Sequence, residues 1–138
     1  MNEQTNIQLV QQAYAAFGRN DIPGLMSLMT EDIDWQFYGP QEIPTSGQRK
    51  GKPEVQRFFQ NVADAWEFAS FEPKQFVAQG DQVVAFGSYS GTAKGTGRKF
   101  DCQWAQMFTV QNGKVVRFRE YTDTANLLEA YAGAPMRV

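Results

Sequence analysis

The chain has no histidine and a single cysteine, Cys102, in 138 residues. Without histidine, neither a Ser-His-Asp nor a Cys-His nucleophilic system can be assembled. Zinc sites that rely on histidine and His-ligated haem are excluded for the same reason. Proton transfer near neutral pH then falls to carboxylates, Tyr, Lys or Cys with shifted pKa values. One cysteine cannot form an internal disulfide framework and suits a reducing compartment. Cys102 lies inside a strand pattern and reads as a small buried hydrophobe. No basic stripe accompanies the net charge of −2, which argues against nucleic acid as a partner. No apolar run reaches the roughly 18–20 residues of a membrane span. Met1 to Asn6 lacks the charged and apolar regions of a signal peptide, so a cytoplasmic location is expected. Neither GxGxxG nor GxxxxGK[ST] occurs, and no metal or organic cofactor is implied.

What the chain does have is aromatic weight. Phe, Tyr and Trp make up 14% of residues, with 11 Phe, 5 Tyr and 3 Trp. Such a surplus suits a dense core or a flat-walled ligand cavity. A hydrophobic content of 42% and a charged content of 20% fit one globular domain spanning 1–138.

Helical periodicity runs from Glu3 to Gly18, where Ile7, Val10, Tyr14 and Phe17 share a stripe. Asp21 caps a second helix, Ile22 to Thr30, with Pro23 in its first turn. Glu31 to Tyr38 alternates as a strand, with Ile33, Trp35 and Phe37 on one face. Gly39 to Gly51 reads as a loop of lid or rim length. A third helix starts at Gly51-Lys52-Pro53-Glu54 and continues to about Ala69, with Phe58, Phe59, Val62 and Trp66 on its apolar face. Four strands follow: Phe71–Gln79, Gln82–Lys94, Arg98–Val110 and Lys114–Thr122. Gly87 and Gly91 fall where a strongly bent sheet wants missing side chains. Asn112-Gly113 is a two-residue hairpin signal. Thr124 to Tyr131 closes as a short helix, and 133–138 reads as a loose tail.

Segregated helices and a strand meander predict an α+β fold, a strongly curved antiparallel sheet around three N-terminal helices. Such a cone encloses a cavity. Arg119, Tyr121 and Asp123 share one face of the last strand, because residues two apart do so. A cation, a phenol and a carboxylate on a buried face call for pairing or for chemistry. Val116 and Phe118 then fall on the opposite face, and their exposure in a monomer predicts a homodimer through the sheet.

Several segments together carry a family resemblance. They are Asp32-Ile33-Asp34-Trp35, Gly51-Lys52-Pro53-Glu54-Val55, Trp104-Ala105-Gln106-Met107-Phe108, Asn112-Gly113-Lys114-Val115-Val116 and Tyr121-Thr122-Asp123-Thr124-Ala125. The chain resembles SnoaL-like, ketosteroid isomerase-related members of the nuclear transport factor 2-like superfamily. The resemblance implies a cone-shaped, cystatin-like fold and is weak for activity, because this fold hosts many chemistries. It places Asp123 where related cyclases and epoxide hydrolases keep an acidic residue. The Arg-x-Asp pair of the epoxide hydrolases has no counterpart around Ala85-Phe86-Gly87-Ser88. The base of the steroid isomerases has none near Phe37-Tyr38-Gly39. Tyr14 lies about one position from the isomerase tyrosine, and Gln106 stands where cyclases often carry a histidine.

These readings nominate Asp123, Tyr121 and Arg119 as catalytic residues. Asp123 would shuttle a proton, Tyr121 and Gln106 would hydrogen-bond a carbonyl, and Arg119 would stabilise negative charge. Trp35, Phe37, Tyr14, Phe58, Trp104, Gln106 and Phe108 are nominated as ligand walls. The expected ligand is a small, planar, oxygenated hydrophobic molecule, and the expected chemistry is cofactor-free isomerisation or cyclisation. Bland readings stand beside these: Asp123 as the cap of the terminal helix, Arg119 in a structural ion pair, and the aromatics as core. A ligand-binding protein without turnover and a pure dimerisation module are the alternative functions.

Overall fold

The computed structural model describes residues 2–133. Three helices and two strands come first: α1 (Glu3–Gly18), α2 (Ile22–Met26), β1 (Met29–Phe37), β2 (Gly47–Lys50) and α3 (Lys52–Ala65). Then follow β3 (Trp66–Gln79), β4 (Gln82–Ala93), β5 (Lys99–Gln111), β6 (Lys114–Thr122) and α4 (Thr124–Ala132). The expected tail 133–138 lies outside the described residues apart from Gly133.

The α+β expectation holds, with one refinement. All six strands form one curved, unclosed sheet in the order β2-β1-β6-β5-β4-β3. Every neighbouring pair is antiparallel except β1 and β6, which run parallel. The expected loop at 39–51 therefore contributes an edge strand, β2.

Helix ends follow local chemistry. Asn2 and Thr5 form a reciprocal capping box on α1. Asp21 accepts from the Gly24 N–H to start α2. Two helices stop earlier than their periodicity predicts. Residues from Met29 onward join β6, with the Val115 N–H donating to the Leu28 carbonyl, so α2 ends at Met26. Trp66 is already extended and pairs with Ala93, so α3 ends at Ala65. In both places sheet pairing outweighs helical propensity.

The bend of the sheet depends on two glycines. A Cβ on Gly91 would collide with the Glu67 carbonyl, and one on Gly87 with the Glu72 carbonyl and the Trp104 ring. Each pairs with β3 beside a register shift, at Phe68/Ser70 and at Pro73/Gln75. Bulge and missing side chain together let the strands approach and coil.

Helices α1 and α3 cover the inner face of the sheet. α1 buries Val10, Ala13 and Ala16, and α3 buries Val55, Phe58 and Phe59. Facing them are Ile33, Trp35 and Phe37 of β1, Trp104 and Phe108 of β5, and Phe118 of β6. Each of the Val, Ile and Phe side chains contributes about 1.5–3 kcal/mol through burial.

Candidate functional site

A cavity of about 80 Å³ lies between α1, α3 and the inner face of the sheet. Its wall is almost wholly aromatic and aliphatic. Phe17, Trp35, Phe37, Phe58, Phe108 and Phe118 line it, with Tyr14, Thr45, Tyr89, Gln106 and Glu120 as the polar members. A wider groove of about 610 Å³ adjoins it between α1, α3 and β3. Tyr14, Phe17, Phe59, Val62, Trp66, Phe68 and Phe71 line both spaces, so the groove forms the mouth of the cavity.

Glu120 is the only buried acidic residue among the described residues, at 5% exposure. It sits on β6 directly opposite Gln106 on β5. The Tyr89 hydroxyl, from β4, donates to Glu120 Oε2 at 2.8 Å, and Gln106 also hydrogen-bonds the carboxylate. Tyr14 on α1 donates its hydroxyl to Gln106 Oε1 at 2.7 Å, which leaves the amide N–H₂ of Gln106 for Glu120. Burial raises the Glu120 pKa from 4.5 to about 7, against the opposing pull of its bonds from Tyr89 and Gln106. Burial, and then the nearby Glu120 charge, push both Tyr14 and Tyr89 well above the ordinary tyrosine value. Both therefore stay protonated donors. The arrangement is a carboxyl group poised between its two states, with phenolic and amide donors beside it, in an apolar chamber.

Tyr14, Trp35, Phe37, Phe58, Gln106 and Phe108, nominated as ligand walls, all line this cavity. Trp104 does not. It is buried behind the lining, packed on Tyr14, Phe71 and Tyr89.

The nominated catalytic face requires correction. Arg119, Tyr121 and Asp123 do not line the cavity. Arg119 Nη2 bonds Asp34 Oδ2 at 3.1 Å and Nη1 bonds the Asp34 carbonyl, which ties β6 to β1 on the outside. Tyr121 is 49% exposed and stacks on Tyr38 with centroids 4.9 Å apart. Asp123 is exposed and caps α4, accepting from the Asn126 N–H at 3.1 Å. Phe118 is buried inside the protomer, which removes the exposure of Phe118 as an argument for a dimer.

The cause is one residue. A regular two-residue hairpin at Asn112-Gly113 would set Gln106 opposite Arg119. The observed register pairs Gln111 with Lys114 and Val110 with Val115, then skips to Thr109 with Arg117. Val116 is the extra residue of a bulge, and every position beyond it changes face. Glu120 thereby takes the inward place opposite Gln106. The available sequence signal is the three-residue step between the apolar Val115 and Phe118, which is out of phase with strand alternation.

Burial, and secondarily the charge of Asp123, push the Cys102 thiol up to about 12, so the lone cysteine is a poor nucleophile. No group of three or more potential metal ligands occurs among the described residues. No helix among them is long and apolar enough to cross a membrane.

The sequence profile of the SnoaL-like domain matches residues 10–118. The chain belongs to the SnoaL-like family. A nuclear transport factor 2-like protein of Burkholderia xenovorans LB400 is 37% identical, with a TM-score of 0.86 over 95% of this chain and 98% of that one. A nuclear transport factor 2-like protein of Burkholderia thailandensis E264 is 30% identical, with a TM-score of 0.83 over 94% and 98%. TerC, solved after co-crystallisation with polyporic acid, is 25% identical, with a TM-score of 0.80 over 94% and 98%. No protein of curated function matches. This SnoaL-like domain thus shares its nuclear transport factor 2-like fold with proteins of several kinds.

Proposed function

We propose that this SnoaL-like protein is a cofactor-free acid–base catalyst acting next to a carbonyl of a small, planar, oxygenated hydrophobic molecule. The observation that carries the reading is Glu120, a carboxylate in an aromatic cavity with its pKa raised to about 7. A general base or acid works best when its pKa lies near the operating pH. The co-crystallisation of TerC with polyporic acid supports small-molecule binding in this fold.

In the proposed step the Glu120 carboxylate removes a proton from the carbon beside the carbonyl. The C–H electron pair moves into the enolate, whose oxygen takes the negative charge. The Tyr14 hydroxyl, now held by Gln106, turns to that oxygen and stabilises it. Glu120 then returns the proton to the same carbon or to a conjugated one, which gives exchange or isomerisation. Tyr89 holds the carboxylate in place throughout.

One observation favours the alternative, a binding protein without turnover. Tyr89 and Gln106 already engage the Glu120 carboxylate, so the same group serves as the anchor of a polar core network. Proton exchange separates the two readings. 2-Tetralone incubated with the protein in D₂O is expected to exchange its acidic protons, followed by NMR, at a rate that rises with pH through about 7. Glu120→Gln should lower the catalysed rate by about 10²–10⁴-fold, while Asp123→Asn should leave it within about twofold. Binding of 2-tetralone without exchange above buffer would decide for the binding reading.

The homodimer remains part of the proposal on a different basis. Phe86, Ala105 and Tyr121 form one cross-strand row on the outer sheet face, extended by Tyr38. Phe86, Tyr121 and Tyr38 are exposed at 42%, 49% and 43%. Sedimentation equilibrium tests it.

A further inference from the structure

A buried acid that takes and returns protons must also exchange them with water. Glu120 is 5% exposed and does not line the groove that forms the mouth. A ligand seated in the cavity would stand between the carboxylate and that mouth.

A row of hydroxyl groups offers another way out. The Tyr89 hydroxyl lies 2.8 Å from Glu120 Oε2 and 2.8 Å from Thr122 Oγ1. Thr122 is two residues beyond Glu120 on the same face of β6, opposite Trp104. It is half-buried and lines neither the cavity nor the groove. Its hydroxyl also reaches the carbonyl of the exposed Gln103, as donor at 3.4 Å. The row thus starts at a buried carboxylate and ends at a group that keeps part of its surface in solvent.

A hydroxyl has one proton to give and lone pairs to accept with, so Tyr89 cannot donate to both neighbours at once. Beside a charged Glu120 it donates to Oε2 and accepts from Thr122. Beside a protonated Glu120 it accepts from the carboxyl group and donates to Thr122. The two contacts are the two settings of one hydroxyl. We propose that Tyr89 and Thr122 form a relay that carries protons between Glu120 and water without passing through the mouth.

To load the acid, a hydronium ion gives its proton to Thr122 Oγ1. The Thr122 hydroxyl proton passes to the Tyr89 oxygen, and the phenolic proton passes to Glu120 Oε2. Three O–H bonds break and three form, and the net change is carboxylate and hydronium to carboxylic acid and water. The reverse sequence discharges the acid. The shift is concerted, because burial disfavours a free tyrosinate at Tyr89. Thr122 acts through Glu120, as a positioning residue. The relay serves the acid–base role proposed for Glu120 and rests on it for its purpose.

Its test needs no ligand. Glutamate labelled with 13C at the carboxyl carbon reports the protonation of Glu120, whose signal is assigned by its loss in Glu120→Gln. Relaxation dispersion at the midpoint of its titration, about 7, gives the rate at which the proton comes and goes. Tyr14, Tyr89 and Cys102, the ionisable groups around the carboxylate, hold their protons at that pH. In Thr122→Val the rate should fall about 10²-fold, the low end of what one positioned proton donor contributes. Thr122→Ser keeps a hydroxyl and should restore it. The midpoint should stay in both variants, because Thr122 makes no bond to Glu120, whereas a general disturbance of the site would move it. Tyr89→Phe interrupts the row one step earlier and should also slow exchange, with the midpoint raised by the lost bond. An unchanged rate in Thr122→Val would overturn the relay, as would a loss that Thr122→Ser does not restore. Glu120-dependent exchange of 2-tetralone would still stand in those cases. Absence of that exchange beside a slowed Thr122→Val would remove the acid–base role and leave the proton path. No titration of Glu120 near neutral pH would overturn both.

Discussion

The two faces of β6 carry similar raw material and meet different fates. On the inner face are Phe118 and Glu120, an aromatic ring followed by an acid. On the outer face are Arg119 and Tyr121, a cation followed by a phenol. The inner pair is 3% and 5% exposed, while Tyr121 is 49% exposed. Solvent and Asp34 satisfy the outer groups at little cost. The inner carboxylate loses water, and its bonds to Tyr89 and Gln106 restore only part of what hydration supplied. Residue type alone therefore does not mark a reactive group. The side of the sheet on which it stands does, and in this strand one bulged residue, Val116, chooses the side.

After the acid itself, the two faces should differ most at their aromatic positions. Phe118→Ala should cost about 3–5 kcal/mol of unfolding free energy in urea titrations. The ring stacks on Trp35 at 3.8 Å and meets Phe108 edge-on at 5.1 Å, so its removal opens a void in a packed wall. Tyr121→Ala loses only a half-exposed stack on Tyr38 and should cost about 1 kcal/mol or less. That figure holds for the protomer alone; in the proposed dimer the loss at Tyr121 should exceed it and grow with protein concentration.

Much of the fold is legible before the structure, because its signals are local. Asp21 and Pro53 mark helix starts, and Asn112-Gly113 marks the last hairpin. Gly87 and Gly91 announce the bend of the sheet. The apolar stripes of α1 and α3 give the helix faces. The cavity-facing side chains of β1 and β5 follow from alternation, which is why Trp35, Phe37, Gln106 and Phe108 reach the lining. The site fails at the one step where alternation breaks. Strand parity propagates, so a bulge at Val116 turns a correct strand into a wrong face for Arg119, Tyr121 and Asp123. The parallel pairing of β1 with β6 is equally silent in sequence, since no turn records which distant strand becomes a neighbour.

Acid titration reads the inner face through Glu120. The folded Glu120 has a pKa of about 7 against an ordinary 4.5. Between these values the folded state binds more protons than the unfolded one, so stability falls as pH rises. Below about 4.5 both states are protonated and the penalty vanishes. Above about 7 it is complete, at about 3 kcal/mol for a shift of this size. Glu120→Gln removes the titration. Its stability should therefore vary less across this window than that of the wild type, with the gap changing by about 3 kcal/mol between pH 4.5 and 8. Parallel profiles for the two proteins would place the Glu120 pKa near its unfolded value and remove the support for acid–base chemistry.

The smallest effect is expected on the outer face, and its sign is opposite. Burial pushes the Asp34 carboxyl up, but hydrogen bonds from Arg119 and Gln48 and the charges of Arg119 and Lys50 outweigh it, leaving the pKa below 3.8. A lowered pKa adds stability above the unfolded value, and that stability is lost as pH falls through the folded one. The Asp34 and Arg119 side chains keep 22% and 15% of their surface in solvent, so screening limits the pair to about 1 kcal/mol. A double-mutant cycle of Asp34→Asn and Arg119→Gln should return a coupling of about that size at neutral pH. The coupling should shrink in high salt and disappear in acid, as the pH falls below the ordinary carboxyl value and protonates Asp34. Glu120 is insulated from the salt by the cone, so its pH window should keep its width under the same conditions. If salt narrowed both, the two faces of β6 would share one solvent-exposed environment, and the inward placement of Glu120 would be wrong.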